Sequence, residues 1–275
     1  MPVITLSSDI GQQDYLIGAV KGQLLSAINH HSLVMVDISH YLSSSNYPKA
    51  AYLCRNAFKH FPENSFHIVL LNLFENASSK FLIAQWNKQF IACPDNGILT
   101  MIIGEKPKDV FELNIQHKPN LLQITAFLAS SIHQIFDGVD MQEIGTKTNT
   151  VVEKYPLRAT VGLNWMEGQI LFIDHFENVI INITKEEFEE HRKGRSFKIV
   201  FKRDEVINTI YDNYSSAQEG EKLAFFNSAG YLEIAINKGN MAGLFGLQGF
   251  NEKMNKQNPA MQHKWFYQTV RIFFE

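Results

Sequence analysis

The stretch VITLSSDIGQQDYLIGAVKGQLLSAI, residues 3–28, indicates the fold class of the first half of the chain. Its apolar start, Val3–Leu6, is typical of a buried strand, and Asp14–Ile28 carries apolar residues at helical spacing. The same alternation continues through Leu33–Asp37, Asn46–Phe58, Phe66–Leu71, Phe81–Ala84, Phe90–Cys93, Val110–Leu113 and Asn120–Phe136. Strands that alternate with helices predict an α/β domain with a mostly parallel sheet flanked by helices.

After about Asn149 the pattern changes to short strand-like segments joined by short turns. These segments are Ala159–Trp165, Gln169–Ile173, Val179–Ile183, Phe197–Phe201, Leu223–Phe226, Tyr231–Ala235 and Lys264–Phe274. A capping box at Thr184 and Glu187 and a short pattern over Asn240–Phe245 predict two helices among them. We therefore expect a smaller all-β domain, a sandwich or barrel, over residues 157–275 after an α/β domain over residues 1–150.

Composition and charge exclude several classes of protein. The 275 residues carry a formal net charge of -3, which gives no general attraction to nucleic acid or to anionic membranes. No apolar run is long enough to span a bilayer, and the first eight residues are too short for a signal peptide. The two cysteines form no Cys-x-x-Cys pair, and the histidines lack metal-ligand spacing, so no metal is expected. These features predict a soluble cytoplasmic protein.

The loop after the first strand carries two carboxylates, Asp9 and Asp14. Ligands of α/β sheets bind at the carboxyl ends of the strands, and a phosphate site there would have a glycine-rich loop. Carboxylates repel phosphate and suit a ribose diol, an ammonium, a metal or another cation. Alternatively, both aspartates cap the following helix. The turn Cys93-Pro-Asp-Asn-Gly97 is explained by ordinary turn chemistry, and the spaced glycines of Gly243–Gly249 are more typical of a helix end.

A second unusual loop lies between two strand-like runs, at Ile173-Asp-His-Phe-Glu-Asn-Val-Ile180. A tight hairpin would place a glycine there, because its turn needs positive φ, but none occurs between Asp174 and Asn178. The residue types therefore indicate side chains selected for what they contact. Alternatively, this is a plain turn in which Phe176 belongs to the core.

Several stretches match one known family in order over nearly the whole chain. They are Asp9-Ile-Gly-x-x-Asp14 with Lys21-Gly22, Val36-Asp-Ile-Ser-His40, Pro94-Asp-Asn-Gly-Ile-Leu99, Asp174-x-Phe-x-Asn178, Glu219-Gly-Glu221 and Asn227-Ser-x-Gly-Tyr-Leu-Glu-Ile-Ala-Ile-Asn237. Together they resemble the S-adenosyl-L-methionine hydroxide adenosyltransferases, relatives of the fluorinase and chlorinase. No single stretch is distinctive, but the ordered set is.

The resemblance implies a homotrimer whose ligand lies between the N-terminal domain of one subunit and the C-terminal domain of its neighbour. It implies that S-adenosyl-L-methionine is a substrate or ligand and that no cofactor is needed. By this resemblance, Asp9 matches the position that holds the ribose hydroxyls. Asp14, Asp174 and Ser228 match positions around the methionine end. The positions at the adenine are matched by Phe176, Asn178 and Tyr214. An asparagine can donate and accept a hydrogen bond together, and carboxylates favour the sulfonium and ammonium of such a ligand.

The water-activating residues of the family do not match. Family hydrolases use an Asp, an Arg and a His, and these positions align here with Asn72, with Ser79 beside Lys80, and with Leu122 or Gln123. Asn72 can orient a water molecule but cannot accept its proton. Lys80 is the candidate that could favour an anionic nucleophile, and the alternative is a solvated lysine at a strand start. The segment Leu71–Asn76 either forms the family's loop or continues the preceding strand.

Two hypotheses therefore stay open at this stage. In the first, the protein cleaves S-adenosyl-L-methionine to adenosine and methionine by attack at the 5′ carbon. In the second, it binds adenosine or S-adenosyl-L-methionine without catalysis. Halogenation is disfavoured, because the Tyr or Thr and the Ser with which the halogenases desolvate a halide have no match.

Overall fold

The computed structural model describes residues 2–28, 32–74, 80–113, 115, 119–202, 205–247 and 268–275. The chain divides into two compact units, residues 1–156 and 157–275. Within the described residues, no helix combines the length and the apolar composition that a membrane crossing requires. The same residues contain no group of three His, Cys, Asp or Glu side chains that could hold a metal ion.

The first unit is a seven-stranded sheet with helices. Its elements are β1 (Val3–Ser8), α1 (Leu16–Ala27), β2 (Val34–Ser39), α2 (Tyr47–Phe58), β3 (Phe66–Leu70), β4 (Phe81–Trp86), β5 (Gln89–Pro94), α3 (Ile98–Ile103), β6 (Val110–Leu113), α4 (Leu121–Phe136), α5 (Met141–Ile144) and β7 (Gly145–Lys147). The strand order is β2-β1-β3-β5-β4-β6-β7. The α/β class predicted from the sequence is confirmed.

The sheet is mixed, however, and the prediction of a mostly parallel sheet holds for only part of it. Strands β2, β1, β3 and β5 are mutually parallel, whereas β4, β6 and β7 are joined by antiparallel pairs. The reversal is local: Trp86 pairs with Gln89 across a two-residue loop, and Asn87 and Lys88 have φ of 49° and 61°. Positive φ at both loop residues is what a tight antiparallel hairpin needs.

Two apolar clusters form the core of this unit. Successive residues of β3 point to opposite faces of the sheet, so Ile68 and Leu70 belong to one cluster, while Val69 and Leu71 belong to the other. Helices α1 and α4 supply the first cluster, and α2 and α3 the second. A strand buried on both faces reads as a nearly continuous apolar run, and in β3 that run is interrupted only by His67.

The second unit is β-rich. Its elements are β8 (Thr160–Val161), β9 (Trp165–Ile173), β10 (Val179–Thr184), α6 (Lys185–Arg192), β11 (Phe197–Lys202), β12 (Glu205–Ile207), a 3-10 turn (Tyr214–Ser216), β13 (Lys222–Phe226), β14 (Tyr231–Ile236), α7 (Met241–Leu244) and β15 (Thr269–Phe274). The order is β12-β11-β15-β9-β10-β14-β13, with β8 beside β9. All of these strand pairs are antiparallel.

Most predicted elements of this unit are present with shifted ends. The predicted capping box is confirmed, because the Thr184 side chain accepts from the backbone N–H of Glu187 and the Glu187 side chain accepts from that of Thr184. The two strands predicted over residues 159–173 are divided differently, since one long strand runs from Trp165 to Ile173. Strand β12 was missed because it is only three residues long. Part of the predicted segments Gly243–Gly249 and Lys264–Phe274 lies outside the described residues.

Candidate functional site

A first set of predicted site residues, the N-terminal cluster, consists of Asp9, Asp14 and Asn72. Asp9 follows β1, and Asn72 follows β3, which is the parallel neighbour of β1. Since parallel neighbours end at the same sheet edge, the two loops meet there. Asp9 Oδ2 accepts a hydrogen bond from the Asn72 backbone N–H at 2.9 Å, and the Asp9 N–H donates to the Leu70 carbonyl at 3.2 Å. The sheet therefore brings Asp9 and Asn72 together, as a shared site requires.

The segment after β3 is a turn, so the alternative in which the strand continues past Leu71 is wrong. Asn72 has φ of 48°, a left-handed conformation that asparagine adopts more readily than most residues. Its side-chain Nδ2 lies 3.4 Å from Tyr47 Oη, to which it donates. An amide in this position can orient a water molecule but cannot remove its proton. Residues 75–79 lie outside the described residues, and so does Ser79, aligned with the family's arginine.

The turn Pro94-Asp-Asn-Gly97 holds this loop in place. The buried Asn96 side chain donates to the Leu71 carbonyl at 2.8 Å and to the Asn72 carbonyl at 3.3 Å, while its Oδ1 accepts from the Ile98 N–H at the start of α3. Neighbouring Asp95 Oδ1 accepts from the Val152 N–H at 2.7 Å. The sequence predicts an ordinary turn here. In the structure, the Asn96 side chain of this turn also fixes the loop that carries Asn72.

A chain of polar side chains connects the loops after β1 and β2. Buried Ser8 Oγ and His40 Nδ1 are 2.8 Å apart, and His40 Nε2 lies 3.1 Å from Asp37 Oδ1. Lys21 of α1 donates to Asp37 Oδ2 at 2.5 Å. Partial burial opposes ionisation of Asp37, but the hydrogen bond from Lys21 and the contact with His40 together lower its pKa. This polar network accounts for Lys21 and for the Val36–His40 stretch, because it holds Ser8, the last residue of β1, directly before Asp9.

Asp14 occupies the position expected of a helix-start residue. Its Oδ1 accepts from the Leu16 backbone N–H at 2.9 Å, and Leu16 is the first residue of α1. Four backbone N–H groups at a helix start have no partner within the helix, so a carboxylate there is stabilising. The capping alternative therefore accounts for one oxygen of Asp14.

Lys80 forms a surface ion pair. Its Nζ lies 2.7 Å from Glu112 Oε2 on β6, its side chain is 48% exposed, and the hydrogen bond to Glu112 raises the pKa of Lys80. Because a carboxylate already neutralises this ammonium, the geometry favours the alternative of a solvated lysine at the start of β4. Catalysis by Lys80 would require that ion pair to open.

The position of the family's histidine falls at the start of α4. There the Asn120 side chain accepts from the Gln123 N–H, and the Gln123 side chain accepts from the Asn120 N–H, both at 2.9 Å. The Leu122 carbonyl accepts from Gln23 of α1 at 3.0 Å. These residues cap a helix and join it to its neighbour, and none of them is a base.

A second set, the C-terminal cluster, consists of Asp174, Phe176, Asn178, Tyr214 and Glu233. The turn between β9 and β10 is closed by Asp174, whose Oδ1 accepts from the Phe176 and Asn178 backbone N–H groups, both at 2.9 Å. Glu177 takes the positive φ, 61°, that a glycine would otherwise supply. The Asp174 carboxylate thus stabilises a turn without glycine by accepting hydrogen bonds from the backbone of that turn.

Phe176 projects from this turn with 71% of its surface exposed. The alternative in which it is a core residue is therefore wrong. The ring of His175 lies beside it, at 5.6 Å between ring centroids in an edge arrangement. A large apolar ring on a turn that is held by hydrogen bonds offers a flat surface to a planar ligand.

Asn178, in contrast, is almost fully buried, at 2% exposure. Its Nδ2 donates to the Tyr214 hydroxyl and, at 2.9 Å, to Glu233 Oε1. The Tyr214 hydroxyl donates to the same Glu233 oxygen at 2.5 Å. Burial and then Glu233 raise the pKa of Tyr214, so the phenol stays protonated. The fold brings together Asp174, Asn178 and Tyr214, which are up to 40 positions apart in the sequence by their numbering.

Glu233 is the site residue that sequence reasoning missed. It appeared only inside the stretch Asn227–Asn237, although one signal was available: a single acid in the buried strand Tyr231–Ile236. Its exposure is 5%, and Asn227 Nδ2 donates to its second oxygen at 3.1 Å. Burial raises the pKa of Glu233, while the hydrogen bonds from Tyr214, Asn227 and Asn178 oppose the shift. Buried acids are rarely retained without such partners.

Ser228 lies exposed in the turn between β13 and β14. The neighbouring Asn227 Oδ1 accepts from the Ala229 and Tyr231 N–H groups at 3.0 and 3.2 Å and fixes the turn. Asn227 therefore links the Ser228 turn to Glu233 and through it to Asn178. The role expected for Ser228 at the methionine end stays a prediction.

Comparison with known proteins identifies relatives of both units. A family model described as SAM hydroxide adenosyltransferase N-terminal domain matches residues 4–145, and one described as the C-terminal domain of the same family matches residues 168–252. An (R)-S-adenosyl-L-methionine hydrolase of Methanocaldococcus jannaschii is 22% identical over 266 residues, covering 92% of this chain and 95% of that protein. A fluorinase of Actinopolyspora mzabensis is 21% identical over 285 residues, covering 90% and 94%.

Solved structures share the fold over the whole chain. An uncharacterized conserved protein from Thermotoga maritima has a TM-score of 0.77 at 18% identity and covers 99% of this chain and 100% of its own. A conserved hypothetical protein from Thermus thermophilus has a TM-score of 0.70 at 20% identity, with 100% coverage of both chains.

Proposed function

Because the chain belongs to the SAM hydroxide adenosyltransferase family, we propose that it binds S-adenosyl-L-methionine or adenosine and that it hydrolyses the former to adenosine and methionine. The single observation that carries the binding proposal is the C-terminal cluster. It combines the exposed aromatic ring of Phe176 with the buried, hydrogen-bonded amide of Asn178, two residues later in the same turn. Such a pair suits a planar base, which needs an apolar surface and a hydrogen bond at its edge.

In this proposal Asp9 binds the ribose hydroxyls, while Asp14, Asp174 and Ser228 surround the methionine end. S-adenosyl-L-methionine carries a sulfonium and an ammonium group, and carboxylates favour such positive charges in a partly dehydrated site. We further propose that the clusters of two neighbouring subunits in a homotrimer combine around one ligand. The observation that supports this is the division of the candidate residues, since Asp9 and Asn72 belong to the first unit and Asp174 and Asn178 to the second.

In the proposed reaction, a water oxygen attacks the 5′ carbon, and the bond from that carbon to sulfur breaks. Methionine leaves as a neutral thioether, and the attacking water loses one proton to solvent. Alignment of water with the departing sulfur supplies much of such a rate enhancement. Asn72 can orient the water by hydrogen bonding, but the proton must leave without a neighbouring base.

A second candidate function is binding without catalysis. The observation that favours it is the set of contacts at Asn72, at the start of α4 and at Lys80, the lysine beside the position of the family's arginine. Asn72 is an amide, the residue aligned with the histidine lies in a capping box, and Lys80 is paired with Glu112. General acid–base assistance contributes about 10²–10⁴-fold to such reactions, so its loss could leave only a pocket.

The binding proposal predicts that millimolar adenosine raises the melting temperature of the purified protein. A ligand that binds only the folded state stabilises that state in proportion to the logarithm of its concentration. Phe176→Ala should lose most of the shift, because it removes the exposed ring without disturbing the core. Leu163→Ala is the matched control, since Leu163 is 91% exposed in the same unit, and it should keep the shift. An unchanged melting temperature of the wild-type protein would contradict a retained adenosyl pocket.

Turnover is tested separately by incubating the protein with S-adenosyl-L-methionine and measuring adenosine by chromatography. We expect adenosine and methionine in equal amounts, at a rate that grows with protein concentration. A rate equal to that of the protein-free control would remove the hydrolase proposal and leave the non-catalytic binder.

A further inference from the structure

We propose that Glu233 is a positioning residue that fixes the direction of the Asn178 amide, so that the site accepts a 6-aminopurine and rejects a 6-oxopurine. This inference rests on the proposed function, because it concerns which base the adenosyl pocket selects. It also changes the role expected for Asn178. From the sequence, that residue offers the ligand both a donor and an acceptor, whereas the structure leaves it only one of them.

The donor side of the amide is used by the protein. Asn178 Nδ2 carries two hydrogens and has three acceptors around it: Glu233 Oε1 at 2.9 Å, the Tyr214 hydroxyl, and Asp174 Oδ2 at 3.4 Å. A primary amide can satisfy no more than two of them at once. Nδ2 therefore has no hydrogen left for a ligand, and the carbonyl oxygen Oδ1 is the part of the amide that can act on one.

The opposite orientation of the amide is disfavoured by charge. Rotating it by half a turn would place Oδ1 next to the oxygens of Glu233 and Asp174, both of which are acceptors when ionised. An amide oxygen buried against carboxylates, with no hydrogen between them, is destabilising because all of these atoms are acceptors. The two acids therefore keep Nδ2 directed toward them and leave Oδ1 on the side that a ligand can reach.

Glu233 itself cannot turn away from the amide. Asn227 holds one of its oxygens at 3.1 Å, and the Tyr214 hydroxyl holds the other at 2.5 Å. Its side chain belongs to a strand, β14, in which Glu233 is paired with Ile180 of β10. Three donors on a buried carboxylate make a fixed acceptor, which is what a positioning residue requires.

The chemical consequence is a preference for a base with a donor at the matching edge. The 6-amino group of adenine donates a hydrogen bond, and Oδ1 accepts it. The 6-oxo group of hypoxanthine is an acceptor, so it would face Oδ1 with no hydrogen between the two oxygens. Sites built around a buried hydrogen-bonding group discriminate strongly against ligands that leave it unpaired.

The test is calorimetric titration of the full-length protein with adenosine, inosine and purine riboside. Wild-type protein should bind adenosine at least about tenfold more tightly than inosine, with purine riboside, which lacks the 6-amino group, between them. Glu233→Gln should reduce the adenosine-to-inosine ratio to a few-fold, because a glutamine lets the Asn178 amide reverse. Glu219→Gln, the same change at a side chain 69% exposed in the same unit, should keep the wild-type ratio.

The adenosine-to-inosine affinity ratio separates a positioning role of Glu233 from a merely structural one, because loss of a structural role would weaken the binding of both nucleosides equally. A Glu233→Gln protein that binds with the wild-type ratio overturns the role of Glu233 and leaves the adenosyl pocket in place. Wild-type protein that binds adenosine and inosine equally also overturns it, whereas failure to bind any nucleoside overturns the proposed function as well. If Glu233→Gln does not fold, Tyr214→Phe, which removes a hydroxyl from the same network, should lower the ratio, and an unchanged ratio there overturns the inference.

Discussion

One buried histidine in the core of the first unit makes the stability of that unit depend on pH. His67 on β3 is fully buried, stacks on Phe58 at 3.9 Å between ring centroids, and shares a 2.8 Å hydrogen bond between its Nδ1 and Thr5 Oγ1. Burial lowers the pKa of His67 to about 4, although the Gln89 side chain acts in the opposite direction. A neutral imidazole is therefore part of the folded structure.

This environment predicts a loss of stability in mild acid. Well above the ordinary pKa of 6.5 the imidazole is neutral in both the folded and the unfolded chain, so its contribution is complete. As the pH falls from 6.5 to about 4, the unfolded chain takes up the proton and the folded chain does not. The free energy of unfolding should therefore fall by up to about 3 kcal/mol over that range. Urea denaturation at pH 7 and at pH 4.5 measures this fall in the free energy of unfolding.

The comparison that isolates His67 is a difference between variants, because carboxylates also respond to acid. His67→Gln should be less stable at neutral pH but should lose less stability on acidification than the wild type. His60→Gln, at an exposed position after α2, is the control and should follow the wild-type curve. Parallel curves for the wild type and His67→Gln would show that the buried imidazole is not the group responsible.

At the scale of elements, one hairpin sets the direction of β4 against the parallel strands of the first unit. The chain turns from β4 into β5 over Asn87 and Lys88, and this places an antiparallel pair beside the parallel strands. Lysine has no intrinsic preference for positive φ, so the tertiary pairing imposes that conformation on Lys88. Asparagine at the preceding position tolerates it better.

The hairpin yields a stability prediction. Lys88→Gly should raise the free energy of unfolding by about 0.5 kcal/mol, because relief of the left-handed conformation exceeds the greater freedom of glycine in the unfolded chain. The ion pair between Lys88 and Glu63 is lost in this variant, but its side chains are 73% and 64% exposed, so it contributes little. Glu63→Gln removes that ion pair alone and should leave stability unchanged in the same urea experiment. Destabilisation by Lys88→Gly beside a neutral Glu63→Gln would contradict the assigned turn.

At the scale of the whole molecule, each unit has its own strands and buried side chains, and each contains one cluster of predicted site residues. The N-terminal cluster is built on parallel strand ends, and the C-terminal cluster on a hairpin and its neighbouring strand. In our proposal the ribose contact comes from the N-terminal cluster and the base contact from the C-terminal cluster. Our proposal that clusters of neighbouring subunits combine follows from this division.

The oligomer proposal predicts a particle mass of three times the 31.5 kDa of the chain. Sedimentation equilibrium should show that mass at micromolar protein, and adenosine should not dissociate it. If the site combines residues of two subunits, dilution to monomers should abolish adenosine binding. A monomer that binds adenosine with unchanged affinity would contradict a site shared between subunits.

Sequence reasoning predicted the α/β unit, the β-rich unit and the candidate residues because these depend on patterns along the chain. It missed the antiparallel pairing of β4 with β5 because the Asn87-Lys88 loop lacks the glycine that often marks such turns. It left Phe176 undecided between core and surface, since an aromatic residue in a turn fits either. It left Asp14 undecided between helix capping and ligand binding for the same reason: both need a carboxylate before a helix.

Residues close together along the chain were enough to place the helix starts and to reveal the family resemblance. Caps such as Asn46, Asn120 and Thr184 act within three residues, so the information is local. Only the folded chain, in contrast, brings Glu233 to Asn178 and Tyr214, which are 55 and 19 positions away in the sequence. Such contacts depend on strand register, and register is set by the packing of the whole sheet rather than by neighbours along the chain.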